Sequence, residues 1–242
     1  MTTLLALDTS NQFCSVALLH NGVISELHER AEQQHSEVVL PMVRQVLDEA
    51  RIDLNHVDAF VVGIGPGGFT GVRLAVAVVQ GLAFATRKLV MPLSSLLAMA
   101  QAVYVQQGVE CVVTVAMDAR MQEVYHATYR VNASGIEELQ APSLSRIQDF
   151  IAAQNEWVHD QNFGVVGNAM VAFQQLVDWG IQHSAHVWQI DHEAPHARDL
   201  LSAAQQLGTN GQMIAPEQIA PLYVRDKIAQ TIAERAALKA GV

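Results

Sequence analysis

The sequence holds only two cysteines in 242 residues, Cys14 and Cys111, far apart and in no CxxC pair. A disulfide framework is therefore excluded, and a reduced compartment is expected. Charge is scarce at 16% of residues, and basic charge scarcer: Lys and Arg number 14 against 24 Asp and Glu, a formal net charge of −10. Nothing resembles a basic stripe, so an unaided grip on RNA or DNA is excluded. The start MTTLLALDTS lacks a basic region before its apolar run and a cleavage site after it, so a cytoplasmic protein is expected. No serine stands in a GxSxG elbow, and neither cysteine carries a nucleophile motif.

What the chain has in quantity is hydrophobic residues, 50% of the total. That suffices for a core, but 242 residues is long for one compact unit, so two lobes or two small domains are expected. The longest apolar window, Phe69 to Ala85, would be roughly 25 Å long as a helix. Arg73 and the glycines at 71 and 81 leave it short of a convincing membrane span, and no membrane association is expected.

Three β-type runs open the chain, LLALDTS, FCSVALLHN and GVISELHERA, the last two joined by the turn signal Asn21-Gly22. In HSEVVLPMVRQVLDEA, Val39, Val43, Val46, Leu47 and Ala50 recur at helical spacing, and Pro41 implies that the helix begins near it or bends there. VDAFVVGIG then reads as a strand, FTGVRLAVAVVQGLAFAT as a helix, KLVMPLS as a strand and SLLAMAQAVYVQQ as a helix ended by Gly108.

From Cys111 the order restarts. A shift of 110 positions superposes Ala6 on Ala116, Asp8 on Asp118, Gln12 on Gln122 and Ala17 on Ala127, and FGVVGNAM echoes FVVGIGPGG. This indicates a tandem duplication of one α/β unit. The expected units are 1–108, a smaller 109–226, and a marginal helix or frayed tail at 227–242. In the second unit RIQDFIAAQ, VAFQQLVDW and PHARDLLSAAQQLG read as helices and AHVWQI as a strand. Two mixed sheets flanked by helices, each with an acid ending its first strand, make the layout of sugar kinases, actin and their ATPase relatives.

Gly63, Gly65, Gly67 and Gly68 lie between a strand and a helix and satisfy GxGxxG. A dinucleotide fold would need a carboxylate about 20 residues on, and there is no acid between Asp58 and Glu110. A phosphate loop would need lysine where Phe69 stands. The glycines are therefore read as structural, permitting positive φ and close backbone approach, with anion binding at the helix N-terminus as the alternative. The helix that follows is apolar around its axis, and Gly71, Ala75, Ala77, Gly81, Ala83 and Ala85 would let another helix approach closely. Burial within the lobe and exposure in a subunit interface both remain open.

Asp8 and Asp118 stand where actin-like ATPases orient a metal-bound water, but Thr9-Ser10 and Ala119-Arg120 replace the glycines that would admit phosphate. Turn capping by each acid is the simpler reading, with weak nucleotide binding as the alternative. His192 to His196 spells HExxH, yet Pro195 cannot sit inside the continuous helix that motif needs, so zinc peptidase chemistry is not expected; His183 and His186 are read as exposed.

The blocks LLALDTSNQFCSVALL, HSEVVLPMV, GIGPGGFTGVRLA with QGLA, AMDARMQEVYHA and PLYVR, in that order, resemble the bacterial TsaB (YeaZ) family. The resemblance implies an actin-like (ASKHA, RNase H-like) fold and a part in forming N6-threonylcarbamoyladenosine at position 37 of tRNAs that read codons beginning with A. It also implies likeness to TsaD, the threonylcarbamoyl transferase, whose metal-binding histidine pair would fall where this chain reads Pro92 to Met99 without histidine. The chain is thus expected to be non-catalytic, to bind no metal or cofactor, and to meet tRNA only indirectly. Its implied partners are TsaD, the ATPase TsaE, and a second copy of itself when alone. The implied interface is His35, Glu37, Leu40, Met42 and Val43 with Phe69, Arg73, Leu74, Ala77 and Val78. The alternatives are an ATP-dependent phosphotransferase or ATPase using Asp8 and Asp118, and an M22-like metallopeptidase.

Overall fold

The computed structural model describes residues 2–31, 34–159, 162–183, 193–208 and 212–225. Two mixed sheets carry the fold. The first has the order β3-β2-β1-β4-β5, built from β1 (Leu4–Asp8), β2 (Phe13–His20), β3 (Val23–Arg30), β4 (Ala59–Gly63) and β5 (Leu89–Leu93). The second has the order β8-β7-β6-β9, built from β6 (Cys111–Asp118), β7 (Glu123–Asn132), β8 (Gly135–Arg146) and β9 (Phe163–Val166). In each, the opening strand pairs antiparallel with the next and parallel with the strand before the glycine turn. The expected doubling is thus present in strand order and direction. AHVWQI, the run that would add a fifth strand to the second sheet, lies outside the described residues, as do His186, His192 and the tail 226–242.

Period-two alternation assigns the first sheet's faces. Leu5, Leu7, Val16, Leu18, Phe60, Val62 and Val90 point one way, into a core with α1 (His35–Ala50) and α2 (Phe69–Thr86). Leu4, Ala6, Ala17, Leu19, Ala59, Val61, Met91 and Leu93 point the other way. That second face is closed by α7 (Ala197–Leu207) through Ala197, Leu200, Leu201, Ala203 and Ala204. Chain order places α7 in the 109–226 unit, but the helix packs on the first sheet. The boundary read from the sequence is corrected accordingly: the second half returns to complete the first.

The helix α3 (Ser95–Gln107) lies against α7 and turns Leu96, Met99, Ala100 and Val103 to the second sheet, where they meet Val113, Val115, Ala127 and Tyr129. On that sheet's far face, Val112, Ala116, Val124, Phe163 and Val165 pack with α4 (Ile147–Ala153), α5 (Ala169–Ala172) and α6 (Gln174–Gln182). The layers run α1/α2, sheet, α3/α7, sheet, α4/α5/α6.

Helix ends follow local chemistry. Ser94 caps α3 by accepting from Leu96 N, and Gly108 ends it at φ 67°. Pro41 lies inside α1, which begins at His35 and runs through it, so the helix does not start at the proline; the ring sits on the exposed side.

Candidate functional site: a helix face and an interlobe cleft

The glycine segment is a packing seam. A Cβ on Gly67 would collide with Ser10 O, one on Gly71 with Thr9 O, and one on Gly63 with the Asp8 carboxylate. Gly68 N donates to Ser10 O at 2.6 Å and Thr9 Oγ1 donates to Gly71 O at 2.7 Å. The loop after β1 is therefore pressed onto the start of α2, and Ser10 O takes the Gly68 N–H that an anion would otherwise approach. Gly65, at φ 94°, is the position in this segment that needs the left-handed region.

Asp8 is sealed beneath that seam, 1% exposed. Its Oδ1 accepts from Ser10 N at 2.8 Å and Ser10 Oγ at 2.7 Å, and its Oδ2 accepts from Ser95 Oγ at 2.6 Å. Burial pushes its carboxyl above the ordinary carboxylate range, against the pull of those donors. It has no opening to a solvated cation, so its placement disfavours the metal-orienting role. Asp118 differs. Its Oδ1 accepts from Arg120 N at 2.8 Å, the same two-residue turn, but it lines an interlobe cleft of about 780 Å³ together with Ser10, Arg120, Asn168 and Arg225. Asn168 Oδ1 accepts from Asp118 N at 2.7 Å.

Three successive residues at the cleft edge, Arg120, Met121 and Gln122, adopt left-handed φ of 62°, 56° and 61°. Non-glycine residues hold that conformation only when neighbours impose it. Here Glu123 N donates to Arg120 O, Ala119 N to Glu123 O, and Ile147 N to Gln122 O. Arg225 adds a donor to Ala119 O and an ion pair with Glu123, each at 2.8 Å.

Arg225 ends a strap formed by residues 212–225. Ile214 bridges to Val90, Gln80 Nε2 donates to Ile219 O, and Leu222 N donates to Ile64 O, all in the first lobe. Tyr223 accepts from Arg73 Nε at 2.6 Å, while the Arg73 guanidinium lies 3.6 Å from the Phe69 ring centroid. The PLYVR block thus ties α2 to the second lobe. No periodicity in the sequence marks this role.

The ten residues read as an interface separate into three groups. Glu37, Leu40, Phe69, Arg73 and Ala77 are exposed. His35, Leu74 and Val78 are half-buried, with His35 Nε2 at 2.9 Å from Asn11 O. Met42 and Val43 are each 4% exposed and belong to the core under α1. These last two are corrected to core residues: their stripe, Val39, Val43, Val46 and Leu47, faces the sheet.

On α2 the buried face is Val72, Ala75, Val76, Val79 and Ala83. The opposite face presents Arg73, Ala77, Gly81 and Phe84, spaced by three or four residues, and Phe84 is 77% exposed. This helix is long and apolar enough to cross a membrane by composition, with mean hydropathy 1.5, but it lies along the first sheet. Phe84 was legible as the next helical step after Ala77 and Gly81, yet was not among the expected contacts.

The cysteines are buried and free, and burial drives their thiols up, to about 12 for Cys14 and about 11 for Cys111. Neither is a nucleophile at neutral pH.

The model of the family "TsaD: tRNA N6-adenosine threonylcarbamoyltransferase" matches residues 18–233. The tRNA threonylcarbamoyladenosine biosynthesis protein TsaB of Haemophilus influenzae is 37% identical over 93% of this chain and 94% of its own length. The protein of the same name from Escherichia coli K12 is 33% identical over 93% of this chain and 96% of its own. Among solved structures, one of YeaZ from Pseudomonas aeruginosa superposes with a TM-score of 0.76 at 37% identity, covering 92% of this chain and all of that one. The two lobes of this chain, each a mixed sheet flanked by helices, make an actin-like fold. On this sequence coverage and this fold, the chain belongs to the TsaB (YeaZ) family of tRNA threonylcarbamoyladenosine biosynthesis proteins, within the wider TsaD family.

Proposed function

We propose that this chain is a non-catalytic dimerisation and scaffold subunit in the formation of N6-threonylcarbamoyladenosine at position 37 of tRNAs that read codons beginning with A. Its role is to bind and support TsaD through the outer faces of α1 and α2, with TsaE joining the larger assembly and a second copy taking the same surface when TsaD is absent. The observation that carries this reading is the exposed stripe of α2, where Ala77, Gly81 and Phe84 lie uncovered beside Arg73. Small residues at helical spacing admit a second helix closely, and Phe84 offers a large apolar anchor. Leu40, 52% exposed, supplies a further apolar contact from α1. A net charge of −10 favours tRNA being held by the partners.

Ala77→Glu and Leu40→Glu test this reading. Both positions are exposed, so the melting temperature should stay within a few degrees of the parent. Gel filtration with TsaD should show the complex lost for Ala77→Glu and weakened for Leu40→Glu. Unchanged complex with both variants would overturn the assignment. Val43→Glu is unsuitable, because a carboxylate at a 4%-exposed core position would unfold the lobe.

The interlobe cleft supports a second reading, an ATP-dependent activity centred on Asp118. Calorimetry with Mg-ATP decides it: micromolar binding lost on Asp118→Ala would favour that reading, and absence of heat would remove it.

A further inference from the structure

The seam between β3 and α7 gathers side chains that the scaffold role does not use. Glu26 and His28 are two residues apart on β3 and so share the sheet face that α7 covers. His196 stands at the N-cap of α7. One carboxylate oxygen of Glu26 and one ring nitrogen from each histidine all lie within 4.8 Å of one another. The His28 and His196 rings stack with centroids 3.6 Å apart and planes 6° from parallel, and Phe13 backs His28 at 4.6 Å. His196 Nδ1 is 3.0 Å from Glu26 Oε2, both side chains being 11% exposed.

The surrounding framework fixes Glu26 and the first turn of α7 independently of any ion. Ser15 Oγ accepts from Ala197 N at 2.8 Å and donates to Glu26 Oε1 at 2.9 Å. Glu26 Oε1 also accepts from Arg198 N at 3.1 Å. Glu26 is therefore anchored through one oxygen to the first turn of α7, while its other oxygen meets His196 Nδ1.

We propose that Glu26, His28 and His196 form a binding site for one divalent transition-metal ion of the zinc class, joining β3 of the first half to α7 of the second. Two imidazoles and a carboxylate suit zinc or cobalt and do not suit calcium or magnesium. Ligand bonds of about 2.0–2.2 Å in a tetrahedron place donor atoms roughly 3.3 Å apart. The Glu26–His196 pair already approaches that separation, whereas the parallel rings of His28 and His196 direct their nitrogens into separate planes, so His28 must rotate out of the stack to complete the set, with water in the fourth position. Binding displaces the direct contact between His196 Nδ1 and Glu26 Oε2 and shifts the Arg198 guanidinium, now 3.5 Å from Glu26 Oε2, off that oxygen. The ion's role here is to lock α7 onto the first sheet. This site is separate from the HExxH string, of which it uses only the second histidine.

The test uses the untagged full chain stripped with chelator and titrated with zinc chloride alone by calorimetry, and with cobalt chloride by visible absorption. The expected result is one ion per chain, a tetrahedral cobalt spectrum and a melting midpoint raised by several degrees. His28→Gln keeps the Glu26 anchor to α7 and should weaken zinc binding at least about tenfold, whereas His159→Gln, at an exposed position, should not. Should His28→Gln fail to fold, histidine side-chain NMR of the parent chain during zinc addition replaces it, with the signals of His28 and His196 expected to shift first. Absence of saturable zinc binding, equal affinity in His28→Gln, or first shifts at other histidines would overturn the proposal.

Discussion

After its glycine turn the first half runs into the 18-residue α2, the second half into the 4-residue α5, although both turns follow a strand lying parallel to the opening strand of its sheet. The acids at the ends of those opening strands diverge as well. Asp8 is sealed under the seam that α2 makes with the β1 loop, whereas Asp118 lines the interlobe cleft. The seam explains the divergence. Gly63, Gly67 and Gly71 bring α2 down onto Asp8, Thr9 and Ser10, while in the second half Gly167 makes such a contact against Ala116 O. The first half combines a sealed acid with a long, firmly seated helix that has a bare outer face. The second half has the open acid and, among the described residues, a 4-residue helix in the corresponding place.

Gly71→Ala strikes this contrast hardest. The new methyl would meet Thr9 O, a backbone atom that moves only if the whole β1 loop moves. Overpacking of this kind should destabilise the protein by about 3 kcal/mol, outweighing the helix propensity gained. Urea unfolding measures the loss. A change under about 1 kcal/mol would mean that the loop yields and that the seam does not seat α2.

Much of the framework behind this comparison was legible in the sequence. Alternation gave the strands, and the helical runs at 35–50 and 69–86 match α1 and α2. The glycine segment was legible in part: missing acids and a missing lysine spoke against dinucleotide and phosphate-loop readings but left anion binding open, and only the contacts at Gly63, Gly67 and Gly71 favour close packing. Met42 and Val43 were misplaced because α1 carries apolar residues on more than one side, and periodicity does not say which stripe meets the sheet. The position of α7 was illegible for a different reason. A helix joined to its predecessor by a long connection can dock on either sheet, and the residues that decide it, Ser15 and Glu26, lie more than 170 positions away. The Arg225 strap was equally hidden, because its partners Ala119 and Glu123 share no local pattern with it.

His126 sharpens the comparison through pH. The 110-residue shift aligns it with Val16, and both side chains are buried, at 2% and 0% exposure. His126 Nε2 lies 2.9 Å from Ser145 Oγ, and desolvation pulls the imidazole down to about 4. A histidine depressed in the folded state favours folding fully above its unfolded value near 6.5, and that contribution is lost as pH falls from there towards 4. The second half should therefore lose roughly 2–3 kcal/mol over that window. His126→Val installs the first half's residue and should flatten the acid limb of stability against pH, as read by urea midpoints at pH 7 and 4.5. An unchanged acid limb would assign the sensitivity to other groups.

The smallest effect separates the two roles of glycine within α2 itself. Gly71 is pinned by the β1 loop, but a Cβ at Gly81 would meet nothing within 4 Å, and the residue sits on the exposed face with Ala77 and Phe84. In an exposed helix interior glycine costs about 1 kcal/mol against alanine, so Gly81→Ala should raise stability by that amount. For the isolated chain, glycine at this position is a loss without return. A surface that packs a second helix against Gly81 offsets that loss by allowing backbones to approach, and the added methyl should then weaken association severalfold while the melting temperature rises. Higher stability with undiminished association would instead show that partners reach this face only through longer side chains, and would move the contact towards Arg73 and Phe69.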